Sequence, residues 1–329
     1  MASQDTSNTS AFIEAQQYSK FIIENLPDIL LPDTFTRDVS DFGTGTTLDI
    51  KTIGSTTIQD VSEGVPLTFT PIESGFIQMS ISEYTGDAWS VSDELRQDSV
   101  QLEQLMAMRA VESTRALSED VETKFLATAN NIQTNANVNL VNGRPHRWIA
   151  GGAGITTRNM ALADLVALKL SFDKANAPQA GRILIVDPIV EASINGLITT
   201  TAATDNNPMW DGLITTGFAQ SHKFVKNIMG FDIYTSNFLP VSTATEALNG
   251  AAYGLANTTS AIGDVANIAM VVTDDQTKPV MRAWRLQPKT EGWRDSENRE
   301  DKFQVTSRFG FGVQRVDTLA VIMTSASTY

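Results

Sequence analysis

Between Gly86 and Gly143 the chain contains neither glycine nor proline. These two residue types are the strongest local interrupters of a helix, so this stretch is where one very long element is permitted. Within it Leu95, Leu102, Met106, Ala110, Leu117, Val121 and Phe125 recur at spacings of four and seven, which marks an amphipathic helix with a narrow apolar stripe. Ser90 or Ser92 is placed to cap it, and Asp93 and Glu94 fall in its first turn, where the helix dipole favours carboxylates. A helix from about Ser92 to Asn130 would be roughly 58 Å long at 1.5 Å per residue, several times the average. A coiled coil is the alternative, but the stripe does not keep regular a/d heptads with complementary flanking charges. A single long helix supporting a sheet is the reading adopted.

Upstream, residues 46–82 are β in character. "TTLDIKTIG" and "TTIQDVSEG" are rich in Thr and Ile and are punctuated by Gly54, Gly64 and Gly75. In "VPLTFTPIESGFIQMSIS" (65–82), Leu67 and Phe69 alternate with threonines, and Ile77, Met79 and Ile81 alternate with Gln78 and Ser80. Period-two alternation predicts two strands with one apolar face, and Pro71 with Gly75 supplies a turn between them. An isolated hairpin is marginal in water, so this face needs something to rest on.

Elsewhere, "SAFIEAQQYSKFIIENL" (10–26) predicts a helix stopped near Pro27, behind a polar arm over residues 1–10. "MALADLVALKLSFDKANA" (160–177) predicts an amphipathic helix. "GRILIVDPIVEASINGL" (181–197) predicts a buried strand that turns through Asp187 and Pro188 into another helix. Strands are expected over Phe231 to Tyr234 and 265–272. The stretch "DKFQVTSRFGFGVQRVDTLAVIMT" predicts two or three strands interrupted by Gly310 and Gly312. There is no internal repeat.

Lys plus Arg is 24 against 38 Asp plus Glu, a net charge of −14. That balance argues against a protein built to grip phosphate backbones. The absence of cysteine excludes disulfides, thiolate catalysis and thiolate metal sites. No window approaches the 18–20 or so apolar residues of a membrane span, and "MASQDTSNTS" carries no apolar signal core.

The search for chemistry finds no cradle. "GGAG" (151–154) lacks the Gly-Lys-Ser/Thr end of a phosphate loop and has Thr157 where a dinucleotide fingerprint needs glycine. His146, in "GRPHRW", and His222, beside Lys223, are the two histidines and read as surface or interface residues. "DSENRED" (295–301) reads as a solvated loop or an inter-subunit ion-pair site, and Asp187 as a helix cap. No catalytic, cofactor-binding or metal-ligating residue is assigned, and no cofactor is expected. A scaffold fits better than an enzyme.

The order of parts, a polar arm, short helix, β-hairpin, very long helix, α/β module and returning strands, resembles the major capsid protein of tailed bacteriophages with the Hong Kong 97-type fold. The stretch from "FTRDVSDFGTG" to "DAWSVSDE" is similar to that family's arm and extended loop, and "DELRQDSVQLEQLMAMRAVESTRALSEDVE" to its spine helix. "GRILIVDPIVEASI" followed by "IMGFDIYTSNFLP" resembles its axial core, sharpest at Gly230-Phe231-Asp232 and Ser236-Asn237, and "DKFQVTSRFGFGVQRVDTLAVI" its returning strands.

The resemblance implies an α+β fold. It comprises an N-terminal arm over 1–45, an extended β-hairpin loop over 46–88 and a peripheral domain with the spine helix over 89–150. An axial domain follows over 151–275, then strands returning to both domains over 276–329. It also implies a homo-oligomer of pentamers and hexamers in an icosahedral shell. That shell encloses double-stranded DNA without specific binding, and is assembled in the host bacterial cytoplasm with scaffolding protein and portal, decoration protein being optional. In such a shell Leu67, Phe69, Ile77, Met79 and Ile81 rest on a neighbouring subunit. One branch of the family crosslinks a loop-tip lysine to a neighbour's asparagine, but the expected tip, "TPIESG", has no lysine. A net-negative wall suits the packing of DNA because it repels phosphates. Two alternatives stand beside this reading: an encapsulin-type shell of the same fold enclosing a cargo enzyme, and an α/β enzyme forming a small oligomer.

Overall fold

The computed structural model describes residues 31, 33–40, 45–54, 56, 58–64, 66–69, 71–98, 102–131, 140–151, 158–195, 227–246, 248 and 259–325. The expected arm and helix over 1–26, most of the "GGAG" loop and His222 lie outside the described residues. In chain order the elements begin with β1 (Arg37–Asp38), β2 (Thr47–Ile53), β3 (Ser74–Ser80) and β4 (Glu83–Ser92). Helices α1 (Asp93–Asp98) and α2 (Leu102–Asn130) follow, then β5 (Leu140–Val141), β6 (Arg144–Pro145), β7 (Arg147–Ile149) and α3 (Leu162–Lys174). Next come β8 (Arg182–Val186), a helix over 188–195, β9 (Asn227–Ile228), β10 (Phe231–Thr235) and β11 (Val265–Val271). The chain closes with β12 (Val280–Asp295), β13 (Glu300–Val313) and β14 (Leu319–Thr324).

The glycine-free run is not all helix. Its first residues form β4, antiparallel to β13 from Glu83↔Phe309 to Ser92↔Glu300, in a sheet ordered β1-β12-β13-β4. The residues of β4 at odd positions face α2. Lys124 Nζ donates to Glu83 at 2.6 Å, and both Ser113 Oγ (2.5 Å) and Arg109 (2.8 Å) donate to Asp87. The Arg109 guanidinium lies over Trp89, which stacks in turn on Phe303 across the ladder.

Helix α2 is about 43 Å long. Its stripe is buried towards the C-terminal end, at Leu117, Phe125, Leu126 and Ala129, whereas Leu95 in α1 and Leu105 stay exposed. The reason is a wedge. Phe125, Leu126 and Ala129 fill the joint between Val280 of the first sheet and Ile183, Ile185, Ile268, Met270 and Leu319 of the second. Glu122, buried on the same helix, accepts from Ser236 Oγ (2.5 Å) beyond β10 and from the Leu31 backbone N–H (2.8 Å), so one carboxylate ties the arm and the second sheet to the spine.

The second sheet runs β7-β14-β11-β8-β10-β9 and is mixed, with β8–β10 and β7–β14 parallel and the other pairs antiparallel. α2 covers one face. Leu165, Leu168 and Phe172 of α3, with Val190 and Ile194, cover the other, against Leu184, Val186, Ala269, Val271, Ala320 and Ile322. Burial on both faces explains why "RILIV", "VANIAMV" and "LAVIMT" are continuous apolar runs rather than alternating ones. Asp187 caps the helix over 188–195, its Oδ2 accepting from Ile189 N at 3.0 Å. The fold is α+β.

Gly310 and Gly312 do not interrupt a strand: β13 runs through both, paired with β12 at Ala283 and Met281. Their missing side chains let β3 cross at close range. A Cβ on Gly310 would stand 2.6 Å from the Ser80 carbonyl oxygen, and one on Gly312 would stand 2.7 Å from Met79 Cγ.

Candidate assembly surface

The hairpin that leaves the first sheet is wider than its alternation suggests. β3 pairs with β2, from Thr47↔Ser80 to Ile53↔Ser74, not with the Leu67–Phe69 stretch. That stretch is not strand; the described residues between Gly54 and Glu73 form the tip. Gln59 holds the two limbs of the tip together, donating from Nε2 to the Thr68 carbonyl (2.8 Å) and accepting from Thr68 N at Oε1 (3.0 Å).

The structure divides the five residues expected to contact a neighbour. Met79 and Ile81 are 1% and 3% exposed and pack on Met281 and Ala283 of the chain's own β12. Assigning them to another copy is therefore corrected: the close crossing that the two glycines of β13 permit buries them within the subunit. Ile77 is half-buried against the same cluster. Leu67 is 50% and Phe69 98% exposed.

Sequence alternation missed the tip's other apolar residues. Ile58 is 95% and Ile72 82% exposed, and Ile53, Val61 and Phe76 also face solvent. The tip carries Asp60, Glu63 and Glu73 with no Lys or Arg, so the lysine of the crosslinking branch is missing from the true tip as well. A concentration of large apolar side chains on one projecting arm marks an interaction surface.

Beside the hairpin lies a cleft of about 500 Å³. Ile50 to Ile53 of β2 and Ile77 of β3 form one wall, and Gln276, Gln314, Arg315 and Asp317 the other, with Arg37 of β1 at its edge. Arg37 Nη1 donates to Gln314 Oε1 at 3.0 Å.

The remaining chemical candidates are structural. His146 is fully buried, not at the surface as expected, because it enters edge strand β7 between β14 and α3: its Nδ1–H donates to the Leu319 carbonyl at 3.0 Å and its ring meets Phe172 edge-on. Burial pushes its pKa down, with the Leu319 carbonyl opposing. The "DSENRED" turn is an ion-pair site within one chain: Arg294 bridges Asp93 and Asp301, Arg96 reaches Asp301, and Lys302 reaches Asp295. The Lys302 ammonium, with Asn298, holds the Asp295 carboxyl well below the usual carboxylate range. Among the described residues no group of three or more His, Cys, Asp or Glu is placed to hold a metal, and no helix is long and apolar enough to cross a membrane.

The fold is shared with solved phage capsid structures. The capsid of cyanophage P-SCSP1u is 18% identical with a TM-score of 0.68, over 99% of this chain and 96% of that one. The bacteriophage PhiM1 mature capsid is 13% identical (TM-score 0.66, 98% and 95% covered), and a chain of Mycobacterium phage Che8 is 16% identical (0.63, 94% and 97%). The family model for phage capsid proteins matches residues 77–324, and the chain belongs to that family. No curated protein matches it. Its role is that of a structural capsid protein of the virion, and these findings favour that reading over an encapsulin shell or an α/β enzyme.

Proposed function

We propose that this chain is the major capsid protein of an icosahedral phage head, built from pentamers and hexamers in which each hairpin tip rests on an adjacent copy. The observation that carries this reading is the tip itself: Ile58, Phe69 and Ile72 are almost fully exposed on an arm with no core of its own. The sheet of β4, β12 and β13 with α2 forms the peripheral part of the subunit, and the six-stranded sheet its axial part. Assembly proceeds in the host cytoplasm with a scaffolding protein and a portal, and a decoration protein is an optional addition. The chain performs no catalysis and needs no cofactor. The shell encloses double-stranded DNA without gripping it, in keeping with the net charge of −14.

Sedimentation velocity and electron microscopy of the purified protein, with and without its scaffold, test this. Hollow shells or capsomers are expected; a stable monomer at high concentration with scaffold present refutes it. A salt dependence of DNA binding that corresponds to many neutralised phosphates would contradict the part concerning DNA.

A further inference from the structure

A cavity of about 410 Å³ lies between α2 and β12. Leu117, Val121 and Phe125 of α2 line one side, Trp284 of β12 and Phe311 of β13 the other, and Leu31, the first described residue, is part of the lining. The Leu31 backbone N–H donates to Glu122 Oε2 at 2.8 Å, which fixes the point from which residues 1–30 depart. Arg282 also lines the cavity, and its side chain is only 11% exposed. Its Nη1 donates to Asp33 Oδ1 at 2.7 Å and its guanidinium lies over the Trp284 ring, but its Nε is buried with no acceptor among the described residues. A buried donor left unpaired is costly. The five residues before Leu31, Leu26-Pro27-Asp28-Ile29-Leu30, carry three large apolar side chains and one carboxylate. We propose that the occupant of this cavity is that segment of the same chain, with Leu26, Ile29 and Leu30 against Leu117, Phe125 and Trp284 and the Asp28 carboxylate accepting from Arg282 Nε.

The volume is in the range of pockets that enclose drug-sized ligands, which suits a few side chains rather than a whole helix. Reach favours the chain's own segment. Three extended residues span at most about 10 Å, so Asp28 stays close to a cavity that Leu31 lines. A short tether gives the segment an effective concentration on the order of millimolar, whereas a second copy would have to give up its translational freedom to reach the same place. One guanidinium carries five donors in a fixed fork, so Arg282 can hold Asp33 at Nη1 and Asp28 at Nε together. Seated in this way, the segment bridges α2 and the first sheet beside the joint that Phe125 fills, and the root of the N-terminal arm belongs to the subunit's own spine. The inference concerns the single subunit and does not depend on the capsid reading.

Two measurements on the full-length chain, at concentrations too low for shells to form, test it. The first is a double-mutant cycle of Asp28→Asn and Arg282→Gln, read by urea unfolding. The cycle cancels the loss of the Asp33 contact and should leave a coupling of roughly fivefold or more in the unfolding equilibrium constant, as for groups in direct contact. The second uses the absence of cysteine. Ser118 lines the cavity, and a chain carrying both Leu26→Cys and Ser118→Cys should oxidise to a disulfide within one chain, while the two single variants mixed together should give no heterodimer. This crosslink leaves Arg282 untouched, so it decides the matter even where Arg282→Gln does not fold. Independent, additive effects in the cycle, thiols that stay free in the double-cysteine chain, or a heterodimer formed in the mixture, which would give the cavity to a second copy, would each overturn the proposal and leave the capsid reading as it stands.

Discussion

Replacing Gly310 and Gly312 in turn by alanine separates a backbone crossing from a side-chain contact. A Cβ at Gly310 would meet three backbone atoms, the Ser80 oxygen at 2.6 Å, Ile81 Cα at 2.9 Å and the Ser80 carbonyl carbon at 3.3 Å. Carbon contacts settle near 3.5–4.0 Å, so β3 and β13 must part by about 1 Å. Overpacking of this kind costs about 1–3 kcal/mol, offset by about 0.4–1 kcal/mol from the reduced freedom of the unfolded chain. The expected net loss for Gly310→Ala is therefore about 1–2 kcal/mol, and more if the separation exposes Met79 and Ile81, each worth about 1.5–3 kcal/mol of burial. At Gly312 the added carbon meets the Met79 side chain at Cγ (2.7 Å), Cβ (3.0 Å) and Sδ (3.1 Å), and an unbranched thioether can rotate away. Gly312→Ala should cost less than about 1 kcal/mol. Urea unfolding of unassembled subunits, compared by midpoint at constant slope, measures both. Adding Met79→Ala should relieve Gly312→Ala and leave Gly310→Ala unrelieved. If Gly310→Ala is as stable as wild type, or milder than Gly312→Ala, the close-crossing argument fails.

Leu117→Asp should unfold the subunit, since a carboxylate would be forced into the buried stripe of α2 at several kcal/mol; retention of the full helical signal at normal stability would refute the burial. Phe69→Asp with Ile58→Asp should leave the fold within about 0.5 kcal/mol, as expected of exposed positions, while preventing assembly, with dichroism and sedimentation read on the same sample. For His146 the unfolded chain keeps the ordinary value of 6.5 and burial lowers the folded one, so on acidification the unfolded state takes up the proton first. Stability should fall as pH drops below about 6.5, before most carboxylates titrate, and His146→Gln should flatten that part of the profile. An unchanged slope would place the titration elsewhere.

What the sequence determined by itself is what depends on neighbours within a few residues. Helix α3, the cap at Asp187, the buried strands β8 and β11 and the helical spine were all legible, because periodicity and capping are local consequences of backbone geometry. So was the family, through the order of these parts. Partner choice was not legible. The alternation of Ile77, Met79 and Ile81 specifies a strand with one apolar face, but it is equally satisfied by pairing with 65–70 or with β2, and only the folded chain selects β2. Glycines at 310 and 312 look like interruptions in one dimension; in three dimensions they are the gap through which β3 crosses β13. His146 reads as exposed among arginines until β14 is laid beside it, more than 170 residues away in sequence. The alternation showed that the hairpin has an apolar face, but which half of it the subunit covers and which half it leaves bare is set by packing between distant segments, information that no local pattern carries.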